Sequence, residues 1–278
     1  MKIALTGAGG LVGEAISSTL ALQGHTVIPL RFRLEAPRLQ AHDFFGAQLL
    51  IHAAYDWRSR KPDDIQRINV NGSLALLEAA QTSEIKGVIF ISSVSAFAGC
   101  RSFYGKGKLQ VEQRVLSGGG LAVRPGIVFG NTRRWIFGTL TRLAQVQVQV
   151  PILHVFHGGF QPMWSFHREH IAKVISMLVC HEWSALPSRV IAVSAAQPTI
   201  FRNLLKILGR AQGKRVAVFP VPSRLVFSFL RFSELLGIKL PITSDALVGL
   251  LESNPSPDFH TLQKLGYIPR ELTLATAL

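Results

Sequence analysis

Tyr104 and Lys108 stand four residues apart in Tyr104-Gly105-Lys106-Gly107-Lys108, so on a helix both side chains share one face. A phenol with a reference pKa of about 10 transfers protons poorly near neutrality, and an ammonium beside it favours the phenolate and lowers that value. Just upstream, Ile91-Ser92-Ser93-Val94-Ser95 closes an apolar run with hydroxyls. Such a hydroxyl can hold the oxygen of a carbonyl or alcohol while the phenol moves a proton and a bound carrier moves a hydride. Ser93 is read as that hydroxyl, with Ser95 as the fallback because the loop register is open.

The carrier's seat is read at the other end of the chain. The apolar run at residues 2–5 leads into Thr6-Gly7-Ala8-Gly9-Gly10-Leu11-Val12-Gly13, followed by a helical pattern. Glycines at 7, 10 and 13 let the backbone approach a pyrophosphate, and the helix opening at Leu11 and Val12 offers that anion its unpaired N–H groups. At the end of the next strand, residues 25–30, a dinucleotide fold usually keeps a carboxylate for the ribose hydroxyls, but here Arg31 and Arg33 precede the first acid, Glu35. Arginine there suits a 2′-phosphate, so NADP is favoured over NAD; the alternative is two solvated loop charges.

These groups need a scaffold, and the pattern between them supplies one. Further strands are read at 47–52, 88–91 and 121–124. They alternate with a helix opened by Pro62 and Asp63-Asp64, with Ile68, Leu74, Leu77 and Ala80 facing inward, and with a second helix opened by Tyr104. Alternation of strand and helix over the first 130 residues predicts an α/β, doubly wound parallel sheet with its ligand outside the carboxyl ends of the strands. Residues 1–130 are thus read as the dinucleotide-binding domain and 131–278 as a small, interwoven substrate lobe. That lobe is expected to return a strand to the sheet near 189–194 and to form helices at 135–150 and 169–180, with 151–156 extended.

Composition narrows the class. The chain has 278 residues, 48% of them hydrophobic, enough for a sizeable core and against disorder. Thirty Lys and Arg against sixteen Asp and Glu leave a net charge of +14, which suits an anionic ligand, a nucleic acid or an acidic membrane surface. Two cysteines, Cys100 and Cys180, make neither a disulfide framework nor a cysteine metal site, and a cytoplasmic setting is expected. No targeting segment is read at the start, because the first apolar run breaks at once into glycines. The most apolar later stretch, residues 216–242, carries Arg224, Arg231, Glu234, Lys239 and three prolines, short of the ~20 uninterrupted apolar residues a span needs. It is expected to be a buried helix of the second lobe rather than a surface contact.

Taken together, the motifs resemble the short-chain dehydrogenase/reductase superfamily, in particular its extended branch of NAD(P)-dependent epimerases, dehydratases and reductases acting largely on nucleotide sugars. Thr6-Gly7-x-x-Gly10-x-x-Gly13 is similar to that branch's cofactor turn, and His52-Ala53-Ala54 to its adenine and ribose contact. Asn69-Val70-Asn71-Gly72 resembles its central helix, which makes Asn69 an active-site support. Ser93, Tyr104 and Lys108 resemble its catalytic set, and Val123-Arg124-Pro125-Gly126-Ile127-Val128-Phe129-Gly130 its segment over the nicotinamide, with Pro125, Gly126 and Val128 as cofactor contacts. The resemblance also implies a homodimer through the helices that start near Pro62 and Tyr104.

The sequence departs from the pattern in three ways. Tyr104 follows Ser93 by only eleven positions, which shortens a pocket wall; Arg168 and His170 replace an apolar residue and an acid; and the chain is short for the branch. Arg133, Arg134 and Arg168 are singled out as substrate-phosphate contacts, since guanidinium forks match phosphate geometry. His154-x-x-His157 and His167-x-x-His170 lack completing ligands, so no metal is expected. The sequence therefore points to an NAD(P)-dependent enzyme acting on a sugar, epimerase, dehydratase or reductase. The alternatives are an NADP-dependent reductase of a non-sugar carbonyl, or a non-catalytic module that senses NADP or binds nucleic acid.

Overall fold

The computed structural model describes residues 1–129, 152–156, 159–195, 197–210, 217–238, 240, 242–252, 254 and 257–267. Its centre is a six-stranded parallel sheet in the order β2-β1-β3-β4-β5-β10, formed by β1 (Lys2–Thr6), β2 (Thr26–Pro29), β3 (Leu49–His52), β4 (Gly87–Ile91), β5 (Leu121–Pro125) and β10 (Val190–Val193). β2 and β3 lie on opposite sides of β1, so the winding reverses between β1 and β3, and a crevice opens outside the carboxyl ends of that pair. The α/β doubly wound class read from the sequence is the observed one.

Both faces of the sheet are covered, which is why its strands read as nearly unbroken apolar runs. With period-two alternation, Ile3 and Leu5 of β1 point to one face and Ala4 to the other. On the first face, Ile16 and Leu20 of α1 (Leu11–Leu22) meet Ile171, Ile175 and Leu178 of α4 (Arg168–Cys180). On the second, Leu76 and Leu77 of α2 (Asn71–Gln81) meet Val111 and Val115 of α3 (Phe103–Ser117) over Leu50 and Phe90. The inward residues anticipated for α2 hold: Ile68, Leu77 and Ala80 are buried and Leu74 half-buried. Its approach differs from a plain helix, because Ile65–Val70 is π-helical, a widened turn that turns Asn69 inward along with Ile68 and Val70.

From β6 (Ile127–Phe129) onward, strands of two to five residues form small pairs. β6 runs parallel to β9 (Ser165–His167), β8 (Pro162–Met163) runs antiparallel to β11 (Thr199–Ile200), and β7 (Ile152–Phe156) runs parallel to β12 (Ala217–Val221). Helices α5 (Phe201–Arg210), α6 (Ser223–Leu235), α7 (Ser244–Leu251) and α8 (His260–Lys264) complete the described chain. The helix anticipated at 135–150 lies outside the described residues.

One expectation is overturned here. Residues 216–242 are expected to hold a buried helix, yet in α6 only Leu230 and Ser233 are buried, and Leu225, Phe229, Phe232 and Leu235 face solvent. Periodicity gives the apolar residues one common side but does not say that a neighbour covers it. No described helix is long and apolar enough to cross a membrane.

Candidate active site

The turn between β1 and α1 is closed too tightly for side chains. Gly7 has a φ of +70°, and a Cβ there would lie 2.8 Å from the Ala53 and Ala54 backbone; at Gly13 it would lie 2.0 Å from the Gly7 carbonyl oxygen. The Gly10 N–H donates to that carbonyl at 2.9 Å, and Gly10 caps α1 with no side chain. Leu11, Val12 and Gly13 therefore present first-turn N–H groups that no side chain of this chain caps, at the positive end of a helix. An uncapped helix start of this kind suits a pyrophosphate; Gly7, Gly10, Leu11, Val12 and Gly13 form it, while the Thr6 side chain is buried behind it.

From the cradle a buried chain of hydrogen bonds runs toward the next helix. Thr6 Oγ1 accepts from the N–H groups of Ala53 and Ala54 at 3.2 Å each and lies 2.7 Å from His52 Nδ1, while His52 Nε2 lies 2.8 Å from Ser73 Oγ. Ser73 donates to the Asn69 carbonyl at 2.6 Å, so it must accept from His52, and Thr6 must donate to it. This requires a neutral imidazole protonated at Nε2. Burial, aided by the Lys108 charge, pushes His52 down to about 3 and keeps it so. Asn69 closes the chain by clamping the next loop: its Oδ1 accepts from Asp56 N–H at 2.7 Å and its Nδ2 donates to the Asp56 carbonyl at 3.1 Å.

That loop carries Tyr55 and Trp57, and both pack on Tyr104. The Trp57 ring stacks on the phenol ring at 5.5 Å between centroids and 25°, and Tyr55 meets it edge-on at 5.2 Å. Tyr104 sits in the first turn of α3, and its phenol lies near enough to the Ser93 hydroxyl, at the carboxyl edge of β4, for that hydroxyl to favour the phenolate. Ser93 Oγ also accepts from the Ser95 N–H at 3.1 Å, so Ser95 braces the preferred hydroxyl. α3 can come this close because a Cβ on Gly105 would lie 2.3 Å from the Ser95 carbonyl oxygen, which offsets glycine's poor helix propensity.

Lys108 is buried one turn on, but its ammonium is occupied differently from the expectation. Nζ donates to the Ile91 carbonyl at 2.8 Å and lies over the rings of Phe90 and Tyr55 at 4.8 and 5.0 Å. Burial pushes it down to about 7, against the opposing charge of Glu112. Tyr104 is pushed up to about 12 by burial, with the Ser93 hydrogen bond pulling the other way, and Tyr55 is raised by burial and by neighbouring Tyr104, Asp245 and Asp56. The lowering of the phenol's pKa expected from an adjacent ammonium is thus reversed: burial of the phenolate dominates, and the Lys108 ammonium is held at the Ile91 carbonyl.

Three positioning features were missed in the sequence. Asp245, from α7, accepts from the Phe103 and Tyr104 N–H groups at 2.6 and 3.2 Å, while Ser102 accepts from Gly105 at 3.1 Å. The N-terminus of the catalytic helix is thereby filled, in contrast to the open end of α1. Thr243-Ser244-Asp245 does signal a helix start, and Thr243 caps α7 by accepting from Ala246 at 3.1 Å, but nothing local marks Asp245 as the cap of a helix 141 residues away. The aromatic pair after His52-Ala53-Ala54 carried no motif. Nor did the bidentate Arg124–Glu112 pair, at 2.9 and 2.5 Å, which ties β5 to α3.

Other expected contacts are placed as follows. Arg31 and Arg33 are exposed in the segment after β2, on the same edge as the cradle, and Glu35 pairs with Arg58 at 3.1 Å. Gly126 passes so close to Trp164 that a Cβ would lie 2.1 Å from its carbonyl oxygen; Pro125 is buried beside it and Val128 half-buried. Arg168 reaches Glu14 of α1 at 3.7 Å. Arg133, Arg134 and His157 lie outside the described residues. His170 is hydrogen-bonded to Tyr267, and among the described residues no three His, Cys, Asp or Glu converge on a metal-sized site.

Known proteins resemble this chain at the level of a partial family match and a shared fold. Residues 3–114 match the NAD dependent epimerase/dehydratase family. The matched epimerase/dehydratase segment spans the cradle, the His52 chain, Ser93, Tyr104 and Lys108, and the resemblance read from the sequence is borne out. Solved structures share the fold over most of the chain. UDP-glucose 4-epimerase from Thermotoga maritima, with UDP-glucose, is 17% identical over 100% of this chain and 96% of that one, with a TM-score of 0.73. RMD from Pseudomonas aeruginosa, complexed with NADPH, is 20% identical over 91% and 98%, with a TM-score of 0.63. A dTDP-4-dehydrorhamnose reductase from Clostridium acetobutylicum is 22% identical over 81% and 85%, with a TM-score of 0.65. No curated protein sequence matches significantly.

Proposed function

We propose that this protein is an NAD(P)-dependent oxidoreductase or epimerase that acts on a nucleotide-linked sugar, with residues 131–278 holding the substrate. The observation that carries the reading is the proximity of the Ser93 hydroxyl to the Tyr104 phenol at the carboxyl edge of the sheet, with Lys108 one turn along and the open cradle at the same edge two strands away. Support comes from the family match and from relatives in complex with UDP-glucose or NADPH.

When bound, the dinucleotide supplies hydride acceptance and return. The cradle N–H groups hold its pyrophosphate, and Arg31 and Arg33 favour a 2′-phosphate, hence NADP. Ser93 Oγ holds the substrate oxygen, and Tyr104 Oη takes its proton during oxidation and gives one back during reduction. Lys108 holds the Ile91 carbonyl one turn along from the phenol, Trp57 and Tyr55 exclude water from that ring, and Asn69 and Asp245 fix loop and helix in register.

The reading is tested with UDP-glucose and dTDP-glucose as probe substrates, NADPH and NADH fluorescence titrations, and NMR detection of epimerised or dehydrated product. NADPH binding tighter than NADH is expected, lost in Arg31→Ser/Arg33→Ser; equal affinity for both removes the NADP assignment. The same purified protein, checked for cofactor carried through purification, separates a self-restoring cycle from a net reductase.

A further inference from the structure

We propose that α6 docks this protein peripherally on an anionic lipid surface. Leu225, Phe229, Phe232 and Leu236 recur at intervals of four, three and four residues, so they form one stripe along the helix, with Leu235 beside it. All five are exposed, Phe229 at 60%, Phe232 at 61% and Leu235 at 80%. Helices on soluble domains ordinarily turn such a stripe inward; α6 instead anchors through Leu230 and Ser233 and presents its aromatic side outward.

Charge selects the partner. Arg224 and Arg231, seven residues apart, run along one edge of the stripe, and the long aliphatic stems of such residues let guanidinium groups reach phosphate while the neighbouring rings sink into the acyl boundary. Arg231 is exposed and reaches Glu234 only at 3.7 Å. Glu234 faces away from the stripe, where it accepts from Ser244 N–H and Oγ at 2.6 and 2.8 Å, and so pins α6 to the start of α7. A second copy of this chain would press like against like, each copy carrying +14 and the same two arginines, whereas an anionic headgroup layer attracts both the edge and the whole molecule. Thirteen residues are too few to span the bilayer, so the helix lies in the interface.

Co-sedimentation of the full chain with phosphatidylcholine vesicles, with and without phosphatidylglycerol, tests this. Binding is expected only with phosphatidylglycerol, to weaken with salt, and to fall at least about tenfold in Phe229→Ser/Phe232→Ser and in Arg224→Gln/Arg231→Gln. Circular dichroism and NADPH titration should be unchanged in both variants. As a readout that removes no apolar contact, Phe229→Trp should show a blue-shifted emission on the same vesicles. No binding at low ionic strength, equal binding by the Phe variant, or a loss of self-association in that variant without any vesicle binding would each overturn the proposal, the last assigning the face to a second copy.

Discussion

Phe90 and Phe232 are the same side chain in two regions that treat it oppositely. Phe90 lies in β4, 1% exposed, packed between the α2–α3 layer and the Lys108 ammonium; Phe232 lies on α6, 61% exposed. In the sheet, a parallel strand covered on both faces leaves an apolar side chain no way to point outward. On α6, periodicity aligns the apolar residues with one another, and only the neighbours decide whether that stripe is core or surface. An apolar run is therefore a statement about burial in the first region and about partnership in the second.

The comparison is sharpest in stability. Phe90→Ala should cost about 3–5 kcal/mol in urea denaturation, as truncation of a buried aromatic does, whereas Phe232→Ala should stay within about 0.5 kcal/mol. A large loss at Phe232 would mean that α6 is covered in the folded monomer. Within the sheet region, Gly13→Ala forces a Cβ into the Gly7 carbonyl. It should cost about 1–3 kcal/mol by overpacking and abolish NADPH binding, as read by fluorescence titration.

Acid should also find the sheet region first. His52 sits at about 3 in the folded protein against 6.5 unfolded. Between those values the unfolded chain takes up a proton that the folded one refuses, so stability falls as pH falls from 6.5 toward 3. Lys108, at about 7 against 10.5, likewise makes stability rise with pH from 7 to 10.5. Urea midpoints measured across both windows should rise with pH; His52→Gln should be less stable but flat in the acidic window, and Lys108→Met flat in the alkaline one. Asp245 joins the two regions and gives the smallest effect on stability. Asp245→Ala should cost about 1 kcal/mol as a lost helix cap, with kcat reduced more than KM and partial recovery in Asp245→Asn; an unchanged kcat would deny the C-terminal lobe any part in placing Tyr104.

What could be read from the chain follows the same division. The sheet and its glycine turn are legible because they depend on local spacing, apolar runs stopped by glycine, and the proposed Ser93, Tyr104 and Lys108 set rests on the same kind of spacing, a phenol and an ammonium one helical turn apart. The environment of that set was not. The Ile91 carbonyl that holds Lys108, the Trp57 ring on Tyr104 and the Asp245 cap on α3 arise from residues brought together by topology, with no shared motif to announce them. Burial is also a tertiary quantity, which is why the phenol's pKa moves up to about 12 when the neighbouring lysine alone argued for down. The outward face of α6 escaped for the same reason.

The central claim is that Tyr104 moves the proton at a dinucleotide-dependent site. It is tested most directly by the turnover of a nucleotide sugar, UDP-glucose first, by wild type and Tyr104→Phe with NADPH affinity measured in parallel. The account predicts a fall in kcat of about 10²–10⁴-fold with NADPH affinity unchanged, because the ring, its stacking on Trp57 and the cradle all remain. A Tyr104→Phe protein that turns over as fast as wild type would contradict it.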